Sequence, residues 1–539
     1  MQGVQPQHKG SNRHTEAWIL GTGISSLASA FYLITKTDIR PCNIHVLDQH
    51  PSLEQATHNN GDSSNGYDQF AACLPVPVGS PMSELLSAIP SGQGEGQSLL
   101  DDIHVMEANR LATKGNDRTH FLECENGSMH RIPVESLNLG YRHRVNLARF
   151  LLRKEKSLAK KQIRDLFPTG FFETAFWAVW SAQFSFQPWH CAAEFRRAIR
   201  QYILGFRSLS ILSCLDITGY YQYEAIYIPI YSFLRRYGVD VQFGTFVKDI
   251  EMVGDNDQQT VTGLRLIHDG RETYQTIRSQ DMVIANLGST VSGSATGTND
   301  IAPFWDSIEL DEALNQNWSI WLDLENKNHS FGNPYSFCMR QSESMLESFT
   351  ITTRDTEFFN MLSQRSECNS NSGAFIFVKG SSWRLNICIP SQPVFPSQPR
   401  DVRVLWGFAH SPDCKGDYVN KTMLQSSGAE LMRELLGHLK VHPQLPMSLT
   451  VTIPRAMPRM SALLLTRGFN DRPDTIPKGV SNMGLVGNFV EIPRRTCVDV
   501  SYGIYSARIA IARLTGLPLP PITSSTSTVS AILKLLFWR

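Results

Sequence analysis

Gly21, Gly23, Ser26 and Asp48 are the residues whose types and spacing first point to chemistry, the gripping of a nucleotide through its phosphates and ribose. Gly21 permits a sharp turn after the predicted strand Ala17–Leu20, and Gly23 lets the backbone approach a pyrophosphate at the positive end of the helix beyond it. Ser26 is small enough for close packing of that helix on the strand, and Ser25 beside it joins the set of cofactor-binding candidates. Asp48 closes the second strand about 25 residues after the glycines, where a carboxylate accepts hydrogen bonds from an adenosine ribose. Strand, glycine turn, helix and acid-terminated strand together predict a dinucleotide cofactor.

Several elements must hold such a turn in place. The segment Val239–Phe243 reads as a strand, alternation recurs over Val247–Val253, and Asp269-Gly270 marks a hairpin. The buried run Asp281–Asn286 leads into Gly288, as a parallel strand does at its cofactor end. Met483–Phe489 is again a strand meeting glycine, and Tyr502–Leu514 carries helical periodicity before Gly516. These pieces predict one α/β, Rossmann-like domain, discontinuous over 16–80, 238–300 and 477–516, after a flexible 1–15. Insertions at 81–237 and 301–476 supply helices and a substrate-binding α+β part. In the first, the aromatic residues between Phe171 and Trp189 either build core or wall a long apolar tunnel. In the second, Ala374–Val378, Leu385–Ile389 and Val402–Phe408 read as strands of a substrate-covering sheet.

The chain has 539 residues, with 50 lysines plus arginines balancing 50 acids, so no global field draws it to nucleic acid. Ten cysteines lack metal-ligand spacing and read as reduced thiols of a cytoplasmic protein. His438 and His442 sit four apart, but Pro443 follows at once and no third ligand lies near, so no metal is expected. The first 15 residues lack an apolar core, so no secretory signal is expected, and no apolar run is long enough to span a membrane. The tail 517–539 runs from prolines through a Ser/Thr stretch into Ala531–Arg539. It either lies peripherally on a membrane, docks on another subunit or packs on its own domain.

From Ala17 to Gly516 the chain resembles the FAD-dependent oleate hydratases, also called myosin-cross-reactive antigens. The resemblance rests on Gly66-Tyr67, Ser87–Ser91, Phe184–His190, Tyr220–Glu224, Gly332–Pro334, Glu347-Ser348 with Thr350–Thr353, Gly416–Val419, Asp471–Asp474 and Gly487–Arg494. It implies an FAD-binding Rossmann-like domain and cofactor contacts at Gly21, Gly23, Ser25, Ser26, Asp48, Val247, Gly288, Gly487, Asn488, Pro493 and Thr496. It also implies a homodimer and hydration of a cis double bond in a fatty acid, FAD acting structurally and electrostatically.

The reaction positions depart from that pattern. The glutamate expected in the glycine loop after Gly66-Tyr67 is Leu74, and Ala71-Ala72 replace the glycines. The family helix Glu-x-Arg-Arg-Tyr ends here in Ala198, removing its proton donor. Threonine, asparagine and histidine that hold the acid head correspond to Cys388, Pro390 and Val394. The acid–base candidates left are Asp68, His190, Tyr220, Tyr223 and Glu224. The leading expectation is a lyase- or isomerase-like enzyme that hydrates, dehydrates or isomerises a long apolar unsaturated acyl or polyketide substrate. The rivals are a non-catalytic flavoprotein that binds a lipid or partner, and an FAD oxidoreductase that NAD(P)H or substrate would bleach.

Overall fold

The computed structural model describes residues 14–56, 60–68, 81–91, 96–114, 120–132, 139–202, 226–255, 258–304, 314–366, 373–390, 392–395, 398–442, 449–498, 501–520, 529–530 and 532–533. Its first sheet has five strands in the order Met483–Val486, Met282–Asn286, Ala17–Leu20, Ile44–Leu47 and Asp240–Gln242. All neighbours are parallel, with Ala17 opposite both Met282 and Ile44. The apolar runs read from the sequence become strands buried on both faces, the pattern parallel sheets require. Helices Ile24–Lys36 and Tyr502–Thr515 pack together against it, the second closed by Gly516 in the left-handed conformation. The α/β, Rossmann-like class is thus the fold observed, its strands contributed by chain segments far apart in sequence.

The alternating segments near 247 form an antiparallel three-stranded sheet, Thr245–Asp255, Gln258–His268 and Arg271–Thr276. Asp269 and Gly270 both take positive φ at its turn, as their sequence predicts.

A larger sheet of eight strands lies in the order Ala295–Thr296, Thr450–Met457, Leu346–Thr353, Arg403–Ala409, Leu385–Ile389, Ala374–Val378, His120–Glu125 and Ser128–Arg131. It takes two strands from the first insertion, since His120–Glu125 pairs in parallel with Ala374–Val378. One face carries Phe349, Ile351, Ile376, Ile387 and Leu405, packed with Phe358, Leu431 and Leu435 of the helices Thr356–Arg365 and Gly428–Leu439. The strand register puts Ser348, Thr350, Trp406, Phe408, Asn386, Cys388 and Phe375 on the other face. The hairpin strand Gly66–Asp68 is fastened to the sheet, Tyr67 N donating to Thr352 Oγ1 at 3.0 Å. The aromatic stretch of the first insertion builds core: Phe171, Phe176, Trp180, Phe186 and Phe195 are buried among one another. Among the described residues no helix is long and apolar enough to cross a membrane.

Candidate functional site

The nucleotide-facing turn has the local chemistry an anionic ligand needs. Gly21 takes φ +92°, and its N–H donates to Leu47 O at 2.7 Å, locking turn to second strand. Gly23 is the N-cap of helix Ile24–Lys36, which has no side-chain cap and no acid in its first turn. Its amino end therefore keeps backbone donors and the positive end of the helix dipole for a ligand. Ser26 Oγ bonds back to Leu20 O at 3.3 Å, tying helix to strand.

Three glycines from distant parts of the chain meet at this end of the sheet. A Cβ on Gly23 would stand 3.0 Å from Asn286 Nδ2, and one on Gly487, whose φ is +106°, only 2.2 Å from Asn286 Oδ1. A Cβ on Gly503 would lie 2.5 Å from Ser25 Oγ and 3.2 Å from Asn488 Oδ1. Gly288 takes φ +63°, and a Cβ there would meet the Phe489 ring at 2.7 Å. Val247 is buried on its strand, and its N–H is taken by Gln316 Oε1 at 3.0 Å. Pro493 is exposed, whereas Thr496 is fully buried and its Oγ1 has no hydrogen-bond partner. An uncapped helix end, glycines at Gly21, Gly23 and Gly487 and the orphaned hydroxyl of Thr496 fit a dinucleotide cofactor.

Asp48 is more heavily engaged than its sequence position implied. Its Oδ2 accepts from Thr22 N at 2.8 Å and Thr22 Oγ1 at 2.6 Å, and its Oδ1 from His50 N and Nδ1, both at 2.8 Å. Burial would raise the carboxyl, but the bonds from His50 and Thr22 outweigh it and hold it below the ordinary range. A ribose hydroxyl on Asp48 would share these lone pairs or replace Thr22 or His50. Asp-x-His was the sequence signal for this bond.

Of the acid–base candidates, Tyr220, Tyr223 and Glu224 lie outside the described residues, as does Leu74. Asp68 forms an ion pair with buried Arg455. His190 is fully buried: Gln187 N donates to its Nδ1 at 3.0 Å, so Nε2 carries the proton, 3.4 Å from Glu343 O. Burial holds this ring down at about 3, neutral and fastened as scaffold. Ala198, Cys388 and Val394 are all buried in the core.

Sequence reading missed a buried ion cluster that runs through the same helix. Glu194 is fully buried and accepts from Arg467 Nη2 at 2.8 Å, with Arg472 Nη1 at 3.4 Å and Arg197 Nη1 at 3.6 Å. Arg197 also pairs with Glu155 and Glu491, and Arg467 reaches Glu491 at 3.1 Å. Burial would raise the Glu194 carboxyl, but the three guanidiniums overcome it and hold it at about 2. Cys497 Sγ lies 3.5 Å from Glu194 Oε2, and burial pushes its thiol up to about 12. Tyr502 Oη bridges Ile492 N and Val490 O, at 3.0 and 2.9 Å. The cluster thereby fastens helix Ala192–Tyr202 to the segment between Gly487 and Thr496.

Two further groups stand out. Glu347 is fully buried with neither carboxyl oxygen hydrogen-bonded, and burial raises it far above an ordinary carboxylate. Asp417, Glu434 and His438 converge, but Glu434 already accepts from the N–H groups of Asp417, Tyr418 and Val419 at 2.7–2.8 Å. His438 adds a bond to Glu434 at 3.2 Å, so the trio clamps the Gly416–Val419 turn.

A parallel sheet whose carboxyl end gathers a glycine turn, an uncapped helix and a second glycine strand defines a Rossmann-type nucleotide-binding protein with a large sheet-bearing second part. The MCRA family pattern matches residues 14–512, and the chain belongs to the MCRA family. It is similar to an oleate hydratase from Streptococcus pyogenes serotype M49 (strain NZ131), 26% identical over 521 residues, 92% of this chain and 84% of that protein. It is also similar to a linoleate hydratase from Lactiplantibacillus plantarum, 25% identical over 548 residues, 94% of each. Among solved structures, putrescine oxidase bound to putrescine matches with a TM-score of 0.53 at 12% identity, covering 93% of this chain and 99% of that one. An oxidoreductase from Methanosarcina mazei matches at 0.50 and 12% identity, covering 91% and 99%. These structural likenesses are of fold.

Proposed function

We propose that this protein binds FAD and acts on a long apolar unsaturated substrate, an acyl chain or polyketide, by non-redox addition, elimination or double-bond isomerisation. The observation that carries the reading is a contrast. Gly21, Gly23, Gly487 and Thr496 suit a cofactor, while the residues that the resemblance aligns with its reaction and head-group positions, Ala198, Cys388 and Val394, are inert and buried. Gly23 and the helix end would hold the pyrophosphate, Asp48 the ribose, and Asn488, Pro493 and Thr496 the ring portion. When bound, the flavin supplies a fixed electrostatic environment to the pocket.

The chain's own residues narrow the chemistry within reach. Ala198 cannot protonate an alkene, and His190 has both ring nitrogens placed against backbone groups. Asp68 faces Arg455, which keeps it an ion-paired positioning group. Tyr220, Tyr223 and Glu224 therefore remain the acid–base candidates for the reaction we propose. Loss of one general acid or base costs about 10²–10⁴ in rate, so loss of two brings oleate hydration near background.

The test is to incubate the protein and a Leu74→Glu, Ala198→Tyr double variant with oleate. Hydroxylated product from the variant alone supports the placements. Product from the unmodified protein contradicts them.

A further inference from the structure

The buried ion cluster is balanced inside but not at its outer edge. Glu155, Glu194 and Glu491 offset the guanidiniums of Arg197, Arg467 and Arg472. Arg196 and Arg200 add two more positive charges one turn apart on helix Ala192–Tyr202, where an i,i+4 pair shares a face. Arg196 is tied down, its Nε donating to Leu151 O at 3.1 Å and its Nη1 lying 3.7 Å from Glu155. Arg200 is not. It is partly buried, its Nε is closed to solvent without a hydrogen-bond partner, and among the described residues no carboxylate pairs with it. The Nη pair is the side of this guanidinium left open to a ligand.

Arg494 supplies a second guanidinium from a distant part of the chain. The ion pair of Arg197 with Glu491 fastens the segment after Gly487 to this helix, and Arg200 and Arg494 each lie three residues beyond a member of that pair. Arg494 is exposed and held at φ +68°, a left-handed conformation that L side chains rarely adopt. Among the described residues no carboxylate pairs with it either. The two charges feel one another: burial first, and the Arg494 charge next, pull Arg200 below the ordinary guanidinium range, while Glu155 acts in the opposite sense. Like charges held together at a partly desolvated site repel unless an anion lies between them. Guanidiniums take oxyanions through paired, charge-assisted N–H bonds. Two of them converging from different elements call for a ligand with acceptor oxygens on several sides and close to two negative charges. A phosphate group has both, and a carboxylate has neither.

We propose that Arg200 and Arg494 form a binding site for a phosphate group, carried by the free ion or by an ester, at the outer edge of the ion cluster. The bound anion supplies the negative charge that this edge lacks and pins helix Ala192–Tyr202 to the segment 487–496 a second time. Thr496 follows Arg494 by two residues, so the site adjoins the proposed cofactor segment without depending on the cofactor.

Titration calorimetry of the purified full chain with potassium phosphate and with potassium acetate tests it, in mildly alkaline buffer at matched ionic strength. Excess FAD is present, so that the glycine turn is not open to phosphate. Phosphate should bind at least about tenfold tighter than acetate, the worth of one charge-assisted contact. Methyl phosphate bound as tightly as phosphate assigns the site to an ester, and its rejection assigns it to the free ion; both support the site. Arg494→Gln, at an exposed position that leaves the core intact, should weaken phosphate at least about tenfold, and Arg200→Gln should do likewise. Without phosphate, Arg494→Gln should unfold at a temperature no lower than the parent's, because the charge it removes is repelled. Added phosphate should raise the unfolding temperature of the parent and not that of the variant. Equal binding of phosphate and acetate, an Arg494→Gln variant that keeps its phosphate affinity, or one that unfolds earlier than the parent without phosphate would each overturn the proposal. A colourless sample whose phosphate binding is still lost in Arg494→Gln would count against the cofactor reading alone.

Discussion

Replacing Glu194 with glutamine keeps the side chain's shape and removes one charge, which makes it a sharp probe of the buried cluster. Three guanidiniums, from Arg197, Arg467 and Arg472, then face only two carboxylates, Glu155 and Glu491, where they faced three. Removing one member of a buried ion pair costs about 3–5 kcal/mol. The carboxyl itself supplies a second route to the magnitude: it falls from 4.5 to about 2 on folding. At about 1.4 kcal/mol per unit that is about 3 kcal/mol. Because the folded state lowers this acid, the stabilisation is complete above the ordinary carboxylate range and is lost as pH falls from about 4.5 toward 2. Urea unfolding followed by tryptophan fluorescence should therefore show Glu194→Gln well below the parent near pH 7, with the gap narrowing in acid. Flavin content should fall with it, since the cluster holds the segment running to Thr496. An unfolding midpoint equal to the parent's near neutrality, or a gap that does not change with pH, would refute the reasoning.

Gly487→Ala should strip flavin before it unfolds the chain. Positive φ costs an L-residue about 1–2 kcal/mol, and the new methyl would sit 2.2 Å from Asn286 Oδ1; the flavin-to-protein absorbance ratio should drop at least about tenfold while far-ultraviolet circular dichroism is kept. Glu347→Met should stabilise the protein by about 1–3 kcal/mol near neutrality, the cost of a buried group without partners. Folding raises this acid, so the folded state holds a proton the unfolded state releases, and the parent loses stability as pH climbs above about 4.5. Thermal unfolding of both proteins should show the variant's advantage growing from acid to neutral pH.

The strands were legible where burial wrote itself into short runs. Ala17–Leu20, Ala374–Val378 and Leu385–Ile389 fall on the residues their composition indicated, because strands buried on both faces need unbroken apolar residues. The glycine turn was legible for the same local reason. What the sequence concealed was long-range: Glu194 and Arg467 are 273 positions apart, and nothing local to either announces the pair. The membership of His120–Glu125 in the large sheet depends on pairing with Ala374–Val378, again a distant partner. Arg200 and Arg494 carry no motif, and it is the distant pairing of Arg197 with Glu491 that brings them side by side. At Gly288 the sequence could not show the ring of Phe489 that packs where a Cβ would stand.

The visible spectrum of the freshly purified protein, read together with its products from oleate, addresses the central contrast most directly. A yellow protein carrying FAD in near-equimolar amount and leaving oleate unhydroxylated is the expected result. A colourless protein that added FAD cannot restore, or a yellow one that turns oleate into its hydroxy acid, would contradict the account.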